Sequence, residues 1–237
     1  MTMKNPRASA RLREFLARAP KDGLVFRAAA SAGEPVEILM YDQIGEDWWT
    51  GEGVTAKDVV AALVQADGAP IVVRINSPGG DVFEGYAIYN ALANYKGGVT
   101  TVVDGLAASA ASWIALAGSS MSMAPLSMLM IHNSATLAMG DKHDLAATAA
   151  ILAKLDSQFV DIYAGKSKLS AAELTAAMDA ETWYTAAEAL EAGFADTVLA
   201  KAAEEPDKEP DADPDDKTNT ARRKHVAMCR LRIAEAT

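Results

Sequence analysis

Short apolar runs alternate along the chain with longer stretches whose apolar residues recur at helical spacing. The runs read as strands and the stretches as helices. Leu24 to Arg27 and Val36 to Tyr41 are the first two expected strands. Thr55 to Ala66 follows as a helix with Thr55 as its N-cap, then Ile71 to Ile75 as a strand and Phe83 to Tyr95 as a helix. Val99 to Val103 is the next strand, and Ala108 to Ala117 reads as a buried helix of small residues. Met121 to Met123 and Met128 to Ile131 are strands joined by a turn at Pro125. Asp144 to Tyr163 is a long alanine-rich helix with Leu145, Ile151, Leu152, Leu155, Phe159 and Ile162 on its apolar side. Ser170 opens a further helix through a capping box with Glu173. Trp183, Tyr184 and Thr185 lead into a last helix, Ala186 to Ala192, closed by Gly193. Strands alternating with helices predict an α/β fold with a largely parallel sheet and helices packed on it. Trp48 and Trp49, close to Gly51 and Gly53, mark an exposed loop with aromatic anchoring and no assigned role.

Composition changes the picture at the two ends. Residues 1–22 carry six Lys or Arg and two acidic residues, with Leu12, Phe15, Leu16 and Ala19 at helical spacing before Pro20. A short basic amphipathic helix is the plain reading, and a disordered or cleaved leader the alternative. Residues 201–221 turn to Glu, Asp, Pro and Lys, a composition that buries no core and predicts disorder. A short basic C-terminal segment follows, with Val226, Met228, Leu231 and Ile233 as weak apolar positions. The organisation expected is therefore a basic segment over 1–22, one domain over 23–200, and a tail over 201–237.

Charge follows the same division. Of the net charge of -10, eight acidic residues and one lysine between Glu204 and Asp216 supply -7. The acidity belongs to the tail, so nucleic-acid binding by the folded part has no support. No apolar stretch is long enough to span a membrane. The single cysteine, Cys229, has no internal disulfide partner, and a reducing, cytoplasmic setting is expected. No cluster of His and Cys predicts a metal or other cofactor. Gly165, Lys166 and Ser167 imitate the end of a phosphate loop, but Val160 stands where its first glycine belongs.

Three segments carry the candidate chemistry. In Arg74 to Asn90, RINSPGGDVFEGYAIYN, an apolar strand stops at a Ser-Pro-Gly-Gly turn and a helical pattern starts at once. Paired glycines there expose backbone amides, and a helix N-terminus welcomes negative charge. Alone, the turn could equally be a plain left-handed connection. The second segment is Asp104 to Gly118, DGLAASAASWIALAG, and the third Met128 to Asn133, MLMIHN. Ser109 and Ser112 lie at the start of one expected helix, and small neighbours would let either serve in packing. His132 closes an apolar run where an uncompensated ring would be costly, so a satisfied core histidine is its plain reading. His143, set among charges, reads as a solvated helix start, and His225 lies beyond the acidic tail.

With the three segments in this order, the chain closely resembles the proteolytic subunit of the Clp protease family, and within it the ClpP-like head maturation proteases of tailed phages. The resemblance runs from about Glu37 to Leu199. It implies a ClpP/crotonase-type spiral of repeated strand-strand-helix units with a protruding handle helix over Asp144 to Tyr163. It implies a serine endopeptidase in which Ser109 is the nucleophile and His132 the base. Ser112 then becomes a packing residue one turn inward. The backbone N–H groups of Gly80 and Ala110 carry over as oxyanion donors, and a side chain at Gly80 is expected to damage catalysis more than folding. The family places an aspartate where this chain has Glu181. Glu181 is the first candidate for orienting the imidazole and Asp179 the alternative, with a structural cap for Trp183 and Thr185 as the plainer role. Ala107 and Ala111 occupy the glycine places of the G-x-S-x-G elbow, which disfavours a conventional esterase.

The same resemblance implies peptide or protein substrates, capsid or scaffold proteins in a phage head, and a homo-oligomeric ring, as a heptamer or double ring. A Clp-type ATPase is a further partner if the chain is a housekeeping subunit, and the N-terminal segment would then lie near an axial pore. The expected location is the host cytoplasm or the prohead. Two other readings stand beside it: a crotonase-like acyl-CoA enzyme, with a related fold and no serine nucleophile, and an inactive ring subunit.

Overall fold

The computed structural model describes residues 23–27, 34–47 and 50–200. The expected basic helix over 1–22, the Trp48–Trp49 loop and the tail over 201–237 lie outside the described residues. Among the described residues eight strands form one sheet: β1 (Gly23–Arg27), β2 (Val36–Tyr41), β3 (Ile71–Ser77), β4 (Val99–Ala108), β5 (Ser120–Met123), β6 (Met128–Ile131), β7 (Thr182–Thr185) and β8 (Thr197–Val198). Among the described residues six α-helices accompany them: α1 (Ala56–Gln65), α2 (Val82–Ala93), α3 (Ala110–Ile114), α4 (Lys142–Ala164), α5 (Ala171–Ala180) and α6 (Ala186–Ala192). The main strand path is β1-β2-β3-β4-β5-β8, and β6 branches from β4 and carries β7. All pairings are parallel except β1 with β2 and β6 with β7. The expected α/β class with a largely parallel sheet is what the chain forms.

Alternation along β3 sets the layers. Ile71, Val73, Ile75 and Ser77 are buried while the residues between them are only partly so. Ile71, Val73 and Ile75 join Val59 and Leu63 of α1, Ile88 and Leu92 of α2, and Trp113 of α3 in a single core cluster. Gly85 leaves room for that indole, since a Cβ there would fall 2.4 Å from its edge. Trp113 in turn stacks on Phe159 of α4, with ring centroids 5.6 Å apart. On the other face Arg74 makes a two-pronged ion pair with Asp104, which also accepts from the Tyr41 hydroxyl. Partial burial and the Asp104 carboxylate both hold the Tyr41 phenol above its usual range.

Three caps were legible residue by residue. Thr55 accepts from the Asp58 N–H, Ser170 and Glu173 form the expected capping box, and Gly193 ends α6 with φ 83°. Several boundaries differ from expectation: β3 runs on to Ser77, α2 ends at Ala93 rather than Tyr95, and Thr182–Thr185 and Thr197–Val198 form strands where none is expected. The long helix starts at Lys142, because Asp141 and Asp144 make a capping box of their own. More consequentially, residues 99–108 are one continuous strand and α3 begins only at Ala110. Pairing with β6 at Leu106, Ala107 and Ala108 extends β4 beyond what its local composition of small residues would predict.

Candidate active site

Three parallel strands end side by side. β3 reaches its last ladder pair at Ser77 opposite Ala107, and β4 reaches its last pair with β6 at Ala108 opposite Met130. Just past those ends lie the Pro78-Gly79-Gly80 turn, Ser109 and His132. The carboxyl edge of a parallel sheet is where loops leave the strands, and it is the common place for a site in such folds.

Ser109 is the junction between β4 and α3, and its backbone is unusual. Its φ of 53° and ψ of -125° fall in a region that residues with a side chain avoid, at a cost of about 1–3 kcal/mol. The expectation that Ser109 lies within a helix is thus corrected. It occupies a sharp strand-to-helix elbow, built without the glycines of the usual elbow sequence because alanines at 107 and 111 are already small enough to be fully buried around it. Hydrogen bonds hold the bend: the Ser109 N–H donates to Met130 O at 3.0 Å, and its carbonyl accepts from the Ser112 N–H at 2.9 Å.

The elbow presents the Ser109 hydroxyl to the imidazole. His132 Nε2 lies 2.7 Å from Ser109 Oγ, hydrogen-bond distance, and both side chains are partly buried. With the ring proton on Nδ1, Nε2 accepts the hydroxyl proton. Past the end of β6 the chain runs from His132 to Ser134, whose N–H and hydroxyl both donate to Asp156 of α4, at 2.6 and 2.7 Å. His143 is far from this pair in role as well as in sequence: it sits exposed in the first turn of α4, donating its N–H to Asp141.

The glycine turn is pressed against the elbow. A Cβ on Gly79 (φ 85°) would fall 2.5 Å from Ala108 O and 2.7 Å from Ala110 N. Gly80 (φ 155°) faces the other way, and a Cβ there would fall 2.0 Å from Ile44 O, in the bridge between Ile44 and Gly80. Against the expectation that a side chain at Gly80 damages catalysis more than folding, this clash with backbone sets a cost to the fold as well. Among the described residues the N–H groups of Gly80 and Ala110 donate to no backbone acceptor. The N-terminus of α2, expected to receive an outside anion, is filled from within: the Asp81 carboxylate accepts from Phe83 N and Glu84 N at 2.8 and 2.9 Å.

The two candidate acids separate. The antiparallel β6–β7 ladder ends at Ile131 opposite Thr182, so His132 and Glu181 each adjoin the same end of that ladder. Glu181 is partly buried and caps α5 in the left-handed conformation, φ 53°. Asp179 is exposed and accepts a 2.6 Å hydrogen bond from Asn133 Nδ2. Ser112, expected one turn inward, is wholly buried, and its hydroxyl contacts were not foreseen: Oγ donates to Ser109 O at 2.5 Å and lies 2.6 Å from the Tyr163 hydroxyl. The phosphate-loop fragment has a plain structural role, since Lys166 Nζ donates to Gly118 O. Among the described residues no group of His, Cys, Asp and Glu is arranged to hold a metal ion, and no helix is long and apolar enough to cross a membrane.

Fold and site together define an α/β protein with a serine–histidine pair at the carboxyl edge of its sheet, beside a glycine turn. The family model described as Clp protease matches residues 37–202, and the chain belongs to that family. It is 37% identical over 153 residues to an ATP-dependent Clp protease proteolytic subunit of Bacteroides fragilis, covering 62% of this chain and 74% of that protein. A subunit of the same name from Bacteroides thetaiotaomicron is 36% identical over 169 residues, 69% of this chain and 77% of that protein. A ClpP1 mutant from Listeria monocytogenes shares the fold with a TM-score of 0.61 at 23% identity, covering 70% of this chain and 92% of that one.

Proposed function

We propose that this chain is the proteolytic subunit of a Clp-type protease, a serine endopeptidase with Ser109 as nucleophile and His132 as general base. The observation that carries the proposal is the 2.7 Å contact between His132 Nε2 and Ser109 Oγ at a strained strand-to-helix elbow. Ser109 Oγ attacks the peptide carbonyl as His132 takes its proton, and His132 then returns the proton to the leaving amine. The tetrahedral oxyanion is received by the N–H groups of Ala110 and Gly80, brought together by the contact between the glycine turn and the elbow. Glu181 orients the imidazole, a role supported by its place beside the end of the β6–β7 ladder that His132 also adjoins, while Asp179 serves to hold Asn133.

A crotonase-like acyl-CoA reaction needs no hydroxyl in contact with an imidazole, so that contact disfavours it. The relatives' names favour an ATP-dependent subunit, working in a homo-oligomeric ring with a Clp-type ATPase, over a phage head maturation protease acting on capsid or scaffold proteins. The test is hydrolysis of a fluorogenic peptide library by the purified protein and by Ser109→Ala, followed by digestion of a folded protein with and without a Clp-type ATPase and ATP. Peptide hydrolysis lost in Ser109→Ala, and folded-protein digestion that requires ATP, is the expected result. Hydrolysis that survives in Ser109→Ala overturns the site. Digestion of capsid or scaffold protein without ATP returns the head maturation reading.

A further inference from the structure

The carbonyl of Ser109 and the N–H of Ala110 belong to one peptide unit, and the two groups point in opposite directions across its plane. Whatever fixes the carbonyl therefore aims the N–H. Behind the elbow, the Ser109 carbonyl accepts two bonds, from the Ser112 N–H at 2.9 Å and from Ser112 Oγ at 2.5 Å. A serine hydroxyl has a single proton, so with that proton given to Ser109 O, the 2.6 Å contact to Tyr163 is made by the Tyr163 hydroxyl donating to Ser112 Oγ. Burial raises the Tyr163 phenol far above its ordinary value, so it stays protonated and remains a donor. Both residues are buried, Ser112 at 0% and Tyr163 at 1% exposure, with the Tyr163 ring edge-on to Phe194. Tyr163 lies in the last turn of α4, 51 residues away in sequence. A directed chain of hydrogen bonds thus runs from α4 through Ser112 into the peptide that follows the nucleophile.

We propose that Tyr163 and Ser112 are positioning residues, which lock and polarise the Ser109–Ala110 peptide so that the Ala110 N–H is held ready for the oxyanion. The inference rests on the reading of Ser109 as nucleophile and deepens it. Successive hydrogen bonds strengthen one another, so the chain makes the Ala110 N–H a better donor as well as a fixed one. Neither residue touches the substrate, and their effect falls on the transition state, where the oxyanion forms.

The experiment compares Tyr163→Phe, Ser112→Ala and the double variant with wild type, using one fluorogenic peptide and a peptide aldehyde of the same sequence, which forms a tetrahedral adduct. Each single variant is expected to lose about tenfold in kcat, less than the ~10²- to 10³-fold of deleting an oxyanion donor outright. KM stays within twofold, and the aldehyde's Ki rises in proportion to the loss in kcat. Ser112→Ala leaves the Tyr163 hydroxyl buried and unpaired, whereas the double variant removes both polar groups and should regain much of the lost Tm. Regained Tm without regained kcat is the predicted signature; a double variant that recovers both, or single variants with wild-type kcat, overturns the proposal. Should the double variant fail to fold, Ser112→Thr decides: it keeps the hydroxyl, so kcat is retained even as Tm falls, and kcat falling in step with Tm contradicts the role. Wild-type hydrolysis in Ser109→Ala would instead remove the underlying site and leave the hydrogen-bond chain a feature of packing.

Discussion

Ser109 illustrates how a single residue departs from its local preference when its surroundings over-determine it. Its left-handed backbone is held from both sides, by Met130 O and by the Ser112 N–H and hydroxyl, and the bend turns Oγ toward His132. The neighbouring acids can be told apart by substitution. Glu181→Gln is expected to lower kcat by about 10²-fold or more, toward the ~10⁴-fold seen when an orienting carboxylate is neutralised. Asp179→Asn keeps an oxygen to accept from Asn133 Nδ2 and should stay within a few-fold of wild type. The reverse pattern in steady-state kinetics would move the role to Asp179. Gly80→Ala should lose activity and thermal stability together, because its Cβ would meet the Ile44 carbonyl at 2.0 Å and its φ of 155° suits only glycine. A variant with unchanged Tm and no activity would show that the turn relaxes without cost to the fold.

At the scale of elements, α4 has two unlike halves. Its C-terminal half is anchored by Phe159 against Trp113 and by Tyr163 against Phe194 and Ser112. Toward its start, Leu145 and Ile151 are 46% and 55% exposed, and Leu137 and Met139 just before it are almost fully exposed. These open apolar groups fit the protruding helix that the Clp resemblance implies, and whether they meet a second copy is a matter for experiment. Replacing Leu145 and Ile151 together with Glu should reduce the molar mass seen by light scattering while leaving the folded domain intact by circular dichroism. An unchanged mass would place the contact between copies elsewhere.

What could be read in advance at this scale depended on how local the cause was. Thr55 and Ser170 cap helices through bonds to residues three positions away, and the chain states them openly. The end of β4 lies beyond any local signal because its cause is distant: pairing with β6, and with Ser77 of β3, holds Ala107 and Ala108 extended. The same distinction divides the site. Ser109 and His132 were found through motif order, whereas the Ser112–Tyr163 contact joins two residues whose separate surroundings, small residues and a helix end, read as packing. Asn133 was passed over for the same reason, since nothing near it in sequence announces Asp179.

For the whole molecule, the tyrosines set the response to alkali. Burial raises Tyr163, Tyr41, Tyr86 and Tyr184, with nearby negative charge adding to the last three. In the unfolded chain these phenols ionise near pH ~10. The folded protein keeps their protons to higher pH, so above that point it binds more protons than the unfolded chain and stability falls as pH rises. Thermal unfolding should show Tm declining above pH ~10, and Tyr163→Phe should flatten that decline; an identical slope in the variant would mean that Tyr163 ionises equally in both states.

The measurement that tests the account most directly is covalent labelling of the purified protein with a fluorophosphonate, with the modified residue located by peptide mass spectrometry. The account predicts one adduct, on Ser109, made far more slowly or not at all in His132→Ala. A folded protein that takes no label, or takes it on Ser112 or another serine, would contradict an activated Ser109 at this elbow.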